Sequence, residues 1–384
     1  MFLEVSAIQH FSSVNLNRDD ANAIKTIHFG GYERQRVSSQ CFKRAMRQHR
    51  AMEEARAGNE SYRTKYVFGR MAELLELKDK DSKKHKALAE YLTALGLGKF
   101  EVPKKGKKKK VDEAAGESVA DGQVLKTLFF TSDRELAQAA ACLRENEFDV
   151  KAAAKAFQEC YATLPIALDI ALFGRMAASD VTLNVDAAVQ VAHAVSTNEI
   201  VIEDDFFTAV DDLGSEERQG ANMIGTTQVA SPCFYRYACL SLDILKRNLG
   251  EAWETDRDRA VAGFVASFIL ASPTGKANST APHSVPDFVL VSVGENQPIS
   301  LVNAFDQPVY ADQHRGLAAG SVDALMTYLG KINRFYDWGS GRTAFLGGTV
   351  DIERPQAEEI GIKKVPALKA LLEDAVTACR EVGV

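Results

Sequence analysis

One short segment near the start of the chain organises the interpretation of the whole sequence. It reads Arg34-Gln35-Arg36-Val37-Ser38-Ser39-Gln40-Cys41-Phe42-Lys43-Arg44-Ala45-Met46-Arg47. Its apolar residues Cys41, Phe42, Ala45 and Met46 recur at helical spacing, and a serine precedes them in the position of an N-cap. The sequence therefore predicts a helix that is capped by Ser39 and buries this stripe.

A row of polar side chains runs along the same predicted helix, beside the apolar stripe. Gln40, Lys43, Arg47 and Arg50 are separated by three, four and three residues, which places them on a single helix face. This face is available to solvent or to an anion.

The start of the predicted helix adds a second group of hydrogen-bond donors. A helix N-terminus carries N–H groups without intrahelical partners and a partial positive charge. Side-chain donors are close by in the sequence at Ser38, Ser39, Gln40, Arg34 and Arg36. Together with the row, they suit several successive phosphates of a nucleic-acid strand. An amphipathic helix with a solvated basic face has the same pattern, so the pattern alone leaves both interpretations open.

Composition and charge indicate a globular protein with one localised basic region. The chain has 384 residues, of which 46% are hydrophobic, and a formal net charge of −6. Residues 17–50 contain eight basic and three acidic residues, whereas residues 199–217 contain eight acidic residues and no basic one. We therefore expect a localised anion site and, elsewhere, an acidic surface able to meet basic patches on neighbouring molecules.

The sequence also indicates where the protein resides and what it does not bind. It has no run of about 20 apolar residues and no signal-peptide pattern at its start, so we expect a cytoplasmic protein. Its six cysteines are scattered without the spacing of a zinc site. Reduced thiols are expected, and neither a metal nor a cofactor is predicted.

Strand and helix patterns interleave along the chain without a repeat, which predicts an α+β fold with insertions. Strands are expected at Phe2–Phe11 and Val189–Val195, and residues 60–165 have the pattern of a helical insertion. Residues 199–229 resemble a protruding hairpin. We interpret the lysine-rich run Lys104–Lys110 as a solvated loop, with contact to nucleic acid as the alternative.

The sequence lacks the motifs of nucleotide-hydrolysing enzymes. G-x-x-x-x-G-K-[ST] is absent, and no G-x-G-x-x-G follows a predicted strand. The pair Gly30 and Gly31 instead suits a turn with positive φ. His28 and His193 have no catalytic partner at a telling distance in the sequence, so we interpret both as structural.

Several motifs occur in an order that resembles the CasC family of the type I-E Cascade complex. They are Leu16-Asn17-Arg18-Asp19-Asp20, Phe29-Gly30-Gly31, Arg36-Val37-Ser38-Ser39-Gln40, Lys43-Arg44-Ala45-Met46-Arg47, Asp169-Ile170-Ala171-Leu172-Phe173-Gly174-Arg175-Met176-Ala177, Ala192-His193-Ala194, Phe207-Thr208-Ala209-Val210-Asp211-Asp212-Leu213 and Phe234-Tyr235-Arg236-Tyr237-Ala238. The resemblance is clear over residues 1–50 and 165–305. It is loose in the helical insertion and toward the C-terminus.

The resemblance implies a fold like a right hand. The hand consists of an RRM-like (ferredoxin-like) palm, a helical fingers insertion and a long thumb hairpin. On this chain, the palm would comprise residues 1–58, 166–198 and 231–384, the fingers residues 59–165 and the thumb residues 199–230.

The resemblance also implies a non-catalytic role in antiviral defence. Copies of such a subunit stack head to tail along a CRISPR RNA, contact other Cascade subunits and support pairing of the guide with target DNA. The expected RNA-binding residues are Arg18, Lys25, Arg36, Ser38, Ser39, Gln40, Lys43, Arg44, Arg47, Gly174, Arg175, Met176, Phe207 and Thr208. Met176 would press against bases at a kink of the guide, although a methionine of the core fits the bare sequence as well.

Two other functions remain open from the sequence. Related backbone subunits of type III complexes cut target RNA with an acidic residue, and Asp19 and Asp20 are the candidates here for a metal-dependent RNA endonuclease. Adjacent carboxylates in a loop more often brace that loop. The other hypothesis is a free-standing protein that binds single-stranded RNA as a monomer.

Overall fold

The chain forms two compact units in a computed structural model, which describes residues 1–78, 82–97, 100–101, 124–177, 181–209, 223–350 and 355–381. The first unit comprises Met1–Met52, Val189–Asp243 and Val261–Val384, and the second comprises Glu53–Ala188 and Ile244–Ala260. Helices and strands occur in both, so the prediction of a mixed α+β fold is confirmed.

The elements alternate along the chain. The strands are β1 (Phe2–His10), β2 (Thr26–Phe29), β3 (Tyr32–Val37), β4 (Ser61–Thr64), β5 (Phe100–Glu101), β6 (Val124–Leu125), β7 (Phe129–Ser132), β8 (Val189–Val191), β9 (Ala194–Ser196), β10 (Glu203–Ala209), β11 (Met223–Val229), β12 (Cys233–Ser241), β13 (Phe288–Gly294), β14 (Arg342–Gly348) and β15 (Lys363–Lys364). The α-helices are α1 (Ser39–Arg47), α2 (Arg50–Ala55), α3 (Val67–Leu74), α4 (Ser82–Ala94), α5 (Asp133–Glu145), α6 (Val150–Tyr161), α7 (Leu168–Phe173), α8 (Leu242–Leu249), α9 (Trp253–Leu270), α10 (Ala277–Thr280), α11 (Leu317–Tyr336), α12 (Pro355–Glu359) and α13 (Leu368–Glu381).

A nine-stranded sheet forms the centre of the first unit. Its order is β15-β14-β13-β1-β12-β9-β3-β2, and β8 also pairs with β12. β14 and β15 are parallel, while the neighbouring pairs from β14 to β2 are antiparallel, which makes the sheet mixed.

The predicted first strand is the central strand of this sheet. β1 pairs with β12 on one side and β13 on the other, and its residues are buried from Leu3 to Gln9. Because successive side chains of a strand point to opposite faces, Leu3, Val5 and Ala7 lie on one face and Ile8 on the other. Ile8 packs in a core cluster with residues of α11, including Val322 and Leu325. The strand is therefore buried on both faces.

The second unit contains the predicted helical insertion. α3, α4, α5 and α6 enclose an apolar cluster, and β4 pairs with β7. The last part of the insertion forms the two helices α5 and α6. The chain turns between them because Glu147 and Phe148 adopt positive φ values of 51° and 66°, and Asp149 then caps α6.

The remaining predictions concern a hairpin, a strand, the lysine-rich run and the cysteines. β10 and β11 pair antiparallel where a hairpin was predicted, whereas the predicted strand Val189–Val195 is interrupted between β8 and β9. The lysine-rich run Lys104–Lys110 lies outside the described residues. The six cysteines are unbridged. Across the described part of the chain, every helix is too short or too polar to cross a membrane.

Candidate nucleic-acid interface

The predicted basic helix is α1, and its apolar stripe faces inward. Phe42 and Met46 are buried, as expected. The N-cap is Ser38 and not Ser39, because Ser38 is extended (φ −68°, ψ 147°) and its hydroxyl accepts a hydrogen bond from the Cys41 N–H at 3.4 Å. Ser39 is the first helical residue. The predicted helix is therefore confirmed, while the predicted cap was wrong by one residue.

The polar row along α1 is shorter than predicted. Gln40 and Arg44 are exposed, and Lys43 and Arg47 are half-buried. The helix ends at Arg47, and Arg50 begins the separate helix α2, so Arg50 does not continue the row. The backbone N–H groups of Ser39 and Gln40 precede the first intrahelical hydrogen bonds, which Cys41 and Phe42 donate to the Ser38 carbonyl.

The buried arginine Arg236 packs against the inward-facing side of α1. The Arg236 guanidinium lies 4.4 Å from the centre of the Phe42 ring and donates to the Gln9 side chain and to the carbonyls of Phe268 and Ala271. Burial lowers the pKa of Arg236 to about 9. Removing its partners would leave a charge in the interior, so this network fixes the position of the helix.

The loop before β2 lies against the start of α1. The Asn17 side-chain oxygen accepts from the Ser38 N–H at 3.0 Å, and the Lys25 N–H donates to the Asn17 carbonyl at 3.1 Å. Arg18 donates to the Asn22 side chain. Burial raises the pKa of the Cys41 thiol in α1, and the charges of Arg44 and Lys25 act in the opposite direction. The loop that carries Arg18 and Lys25 therefore lies against the start of α1.

Arg36 reaches the same region from β3. Its backbone N–H donates to the Lys25 carbonyl at 2.9 Å, and its guanidinium contacts His193 Nδ1 at 2.8 Å and the Thr26 carbonyl at 3.4 Å. Partial burial lowers the pKa of His193, and the charges of Arg36 and Lys25 lower it further.

Arg34, the other predicted upstream donor, points into the protein. Its guanidinium donates to the carbonyls of Ser196 (3.1 Å), Thr197 (2.8 Å) and Phe305 (2.9 Å). Burial lowers its pKa. The expectation that Arg34 serves an anion at the helix start is corrected, because buried carbonyl groups already accept its hydrogen bonds.

An open groove of about 720 Å³ runs beside α1. It is lined by residues of the Leu16–Asn22 loop, of α1 and of the Ala271–Lys276 segment, and its cationic side chains are Arg18, Arg44 and Lys276. Sequence reasoning missed Lys276, which lies directly after Gly275 in a turn and has a positive φ of 53°. The sequence feature that marks this close approach of two segments is Gly275, because its backbone lies so near Leu16 that a Cβ has no room.

The candidate endonuclease residues Asp19 and Asp20 lie in the loop before β2, and Asp19 forms hydrogen bonds within that loop. The Asp19 carboxylate accepts from the Ala23 N–H at 2.9 Å, and the Asp19 N–H donates to the Ala23 carbonyl at 3.0 Å. Asp20 is exposed. Within the described ranges, histidine, cysteine and carboxylate side chains form no group of three or more that could hold a metal ion.

The Gly174–Met176 segment belongs to the second unit. Gly174 ends α7 with φ +75°, and a Cβ at this position would lie 2.8 Å from the Val185 carbonyl oxygen. Met176 is 86% exposed, so the alternative of a core methionine is excluded. A tight turn thus presents an apolar side chain at the surface.

Arg175, between these two residues, is buried. Its guanidinium donates to both carboxylate oxygens of Glu135 (2.8 and 2.9 Å), to the Leu183 and Phe130 carbonyls (2.8 and 3.0 Å) and to the Tyr161 hydroxyl. The prediction of an RNA contact by this side chain is corrected, because its donors are engaged inside the second unit. Arg175 instead holds the Met176 turn.

The predicted thumb residues lie on the β10–β11 hairpin of the first unit. Phe207 is 41% exposed, and its ring covers Gly225 on the opposite strand. Thr208 is also exposed, whereas Val210 lies outside the described residues. At the base of the hairpin, Gln228 accepts hydrogen bonds from Ile24 (3.2 Å) and Asn15 (2.8 Å). The hairpin therefore begins beside the loop that carries Arg18 and Lys25.

The fold is that of a mixed α+β protein, and its candidate site is a basic surface centred on α1. The profile of the CT1975-like protein family matches residues 3–374, and the chain belongs to this family, which confirms the predicted CasC kinship. The chain is also similar to chains in solved structures. One, from a "CRISPR RNA-guided surveillance complex, pre-nicking", is 30% identical with a TM-score of 0.77, covering 98% of this chain and 100% of that chain.

The second similar chain comes from a "CRISPR RNA-guided surveillance complex". It is 27% identical with a TM-score of 0.69, again over 98% of this chain and 100% of that chain. A comparison with curated proteins finds no match.

Proposed function

We propose that this chain is a non-catalytic, CRISPR RNA-binding backbone subunit of a type I-E Cascade complex. Copies would stack head to tail along the guide, contact other Cascade subunits and support pairing with target DNA in antiviral defence. The proposal rests on one observation above the others: Lys25 and Arg36 lie close to the capped start of α1, and Lys43, Arg44 and Arg47 follow along the helix. The kinship to chains of CRISPR RNA-guided complexes supports RNA as the anion.

The surface suits a sugar-phosphate backbone better than bases. The α1 cations follow one another along the helix, and the N–H groups of Ser39 and Gln40 lie in its first turn, where they have no intrahelical partner. Donors of this kind bind the phosphates of a strand whatever its base sequence is. A guide of arbitrary sequence requires this property.

We also propose the palm, fingers and thumb division given above, with an RRM-like palm. The nine-stranded sheet would be the palm, helices α3 to α6 of the second unit the fingers, and β10 with β11 the thumb. Met176 would wedge against an unstacked base, since an exposed, flexible apolar side chain fits any base. Phe207 and Thr208 would contact the guide from the hairpin.

A net-acidic chain can act in this way because only one surface of each copy has to be positive. Glu203, Asp204 and Asp205 are exposed on β10, and they suit a basic patch on a neighbouring molecule. A head-to-tail contact that does not close generates a helical filament. The predicted cytoplasmic location remains a prediction.

The phosphate role of α1 is testable by charge removal. Changing Lys43→Ala together with Arg47→Ala removes two cations from the row, so the affinity for single-stranded RNA should fall for all sequences. The slope of log K against log salt should become shallower by about 1.4. A filter-binding titration over a range of salt concentrations measures both quantities.

The matched control is Lys151→Ala with Lys155→Ala on α6, where both side chains are exposed. This pair changes the net charge by the same amount and should leave the salt slope unchanged. An identical loss of slope in both double variants would show that the effect comes from overall charge, and it would contradict a phosphate role for α1.

The RNA endonuclease is the alternative function, and the loop-bracing hydrogen bonds of Asp19 speak against it. Cleavage of guide-complementary RNA in magnesium, lost in Asp19→Ala or Asp20→Ala, would favour the endonuclease. A free-standing RNA-binding protein predicts tight binding by a single copy. The backbone subunit predicts cooperative coating with weak single-copy affinity, and co-purification of the assembly with extraction of its RNA separates the two.

A further inference from the structure

The Arg36 and His193 side chains meet near the start of α1, and the Lys25 charge acts on the same histidine. Lys25 precedes β2, Arg36 lies in β3, and His193 lies between β8 and β9. The Arg36 guanidinium contacts His193 Nδ1 at 2.8 Å, and the Arg36 backbone N–H donates to the Lys25 carbonyl at 2.9 Å. β3 pairs with β9 through Arg36 and Val195, which holds the histidine beside the arginine. Because Ser38 caps α1 two residues after Arg36, the cluster adjoins the helix start.

We propose that His193 completes a phosphate site with Lys25 and Arg36, and that RNA binding at this site places a proton on His193. This inference rests on the proposed function, to which it adds a residue and a dependence on pH. The sequence alone suggested a structural histidine, because Arg36 and Lys25 are far from it along the chain.

The hydrogen bond between Arg36 and His193 explains how the proton is coupled to binding. A guanidinium only donates, so His193 Nδ1 accepts in the free chain and the neutral ring carries its hydrogen on Nε2. When a phosphate enters, protonation of Nδ1 turns the ring into a second donor. Arg36 and His193 then both donate to the anion, and their mutual hydrogen bond is lost.

The charges around the histidine favour this exchange. Partial burial lowers the pKa of His193 in the free chain, and the charges of Arg36 and Lys25 lower it further. The elements next to β8 add further groups: α1 carries the cations Lys43, Arg44 and Arg47, and β12 carries Tyr237 and Cys239, which stay neutral because burial raises their pKa values. A phosphate brings negative charge into this positive cluster, so the pKa of His193 rises on binding.

The sign of the pH effect follows from these two states. Between the lower pKa of the free chain and the higher pKa of the complex, the complex binds more protons. RNA affinity therefore rises as the pH falls through this window. A rise of one pKa unit corresponds to a gain of up to about tenfold in affinity.

The test is a titration of labelled single-stranded RNA of mixed sequence with the full chain, at constant ionic strength, from roughly pH 5.5 to pH 8.5. His193→Gln keeps an acceptor for Arg36 but does not titrate. His314→Gln, at an exposed position in another loop, is the control. Wild type and His314→Gln should gain up to about tenfold in affinity on acidification, and His193→Gln should gain less than about twofold.

A second measurement uses the wild-type chain alone, so it does not depend on a variant that folds. Binding heats measured near neutral pH in two buffers of different ionisation enthalpy report the protons taken up, and we expect net uptake. Equal pH profiles for wild type and His193→Gln, or no proton uptake, overturn the proposal while the salt-slope result for Lys43 and Arg47 still supports RNA binding. No RNA binding by wild type at any pH overturns both.

Discussion

The α1 surface and the Gly174–Met176 turn were both predicted to contact RNA, but the two regions are built in opposite ways. At α1, the apolar residues are buried and cations such as Arg44 reach the surface. At the turn, the cation Arg175 is buried and the apolar Met176 is exposed. The first region therefore offers charge to a nucleic acid, and the second offers shape. A motif indicates which residues matter, while packing determines which of them meet the ligand.

Among the substitutions that test this comparison, Arg175→Met is expected to have the largest effect on stability. The substitution leaves the buried Glu135 carboxylate without its ion-pair partner, so the free energy of unfolding should fall by about 3–5 kcal/mol. Urea denaturation followed by circular dichroism measures the change. Met176→Ala at the neighbouring exposed position should stay within about 0.5 kcal/mol of wild type. Equal stability of the two variants would contradict the internal role of Arg175.

A smaller effect is expected where the turn leaves α7. Gly174→Ala introduces a Cβ in contact with the backbone of Val185 and Ala187, in addition to the strain of a positive φ. Gly58→Ala is the matched control, because Gly58 also has a positive φ of 86° but open space around it. Thermal or urea unfolding should show that Gly174→Ala costs about 1–3 kcal/mol more than the control. Equal costs would mean that the turn yields to the added group.

The smallest effect concerns the start of α1. Ser38→Ala removes the N-cap hydroxyl and should lower the free energy of unfolding by about 1 kcal/mol. Ser39→Ala should change it by less than about 0.5 kcal/mol, because Ser39 is already inside the helix. Paired urea titrations decide between the two serines. A larger loss from Ser39→Ala would restore the original prediction of the cap.

Much of this architecture could be predicted because it depends on local periodicity. The apolar stripe of α1, the central strand β1 and the helical second unit follow from patterns that repeat every two or 3.6 residues. The family motifs then indicated the basic helix, and its neighbours Arg18 and Lys25 do lie at its start.

The rest could not be predicted because it depends on contacts between distant residues. Arg34 and Arg36 are two positions apart, yet Arg34 is bonded to carbonyls more than 160 residues away and Arg36 meets His193. The partner of Arg175 is Glu135, which the motif around Arg175 does not contain. The same limit hid Lys276, whose segment meets the Leu16 loop only in the folded chain.

Photo-crosslinking tests the central claim most directly. The assembled protein is loaded with RNA that contains 4-thiouridine, irradiated and digested, and the crosslinked peptides are identified by mass spectrometry. We expect crosslinks in the peptides that contain Lys25, Lys43 and Met176, and none on α6 around Lys151. Crosslinks that avoid the α1 region while labelling other surfaces would contradict the account.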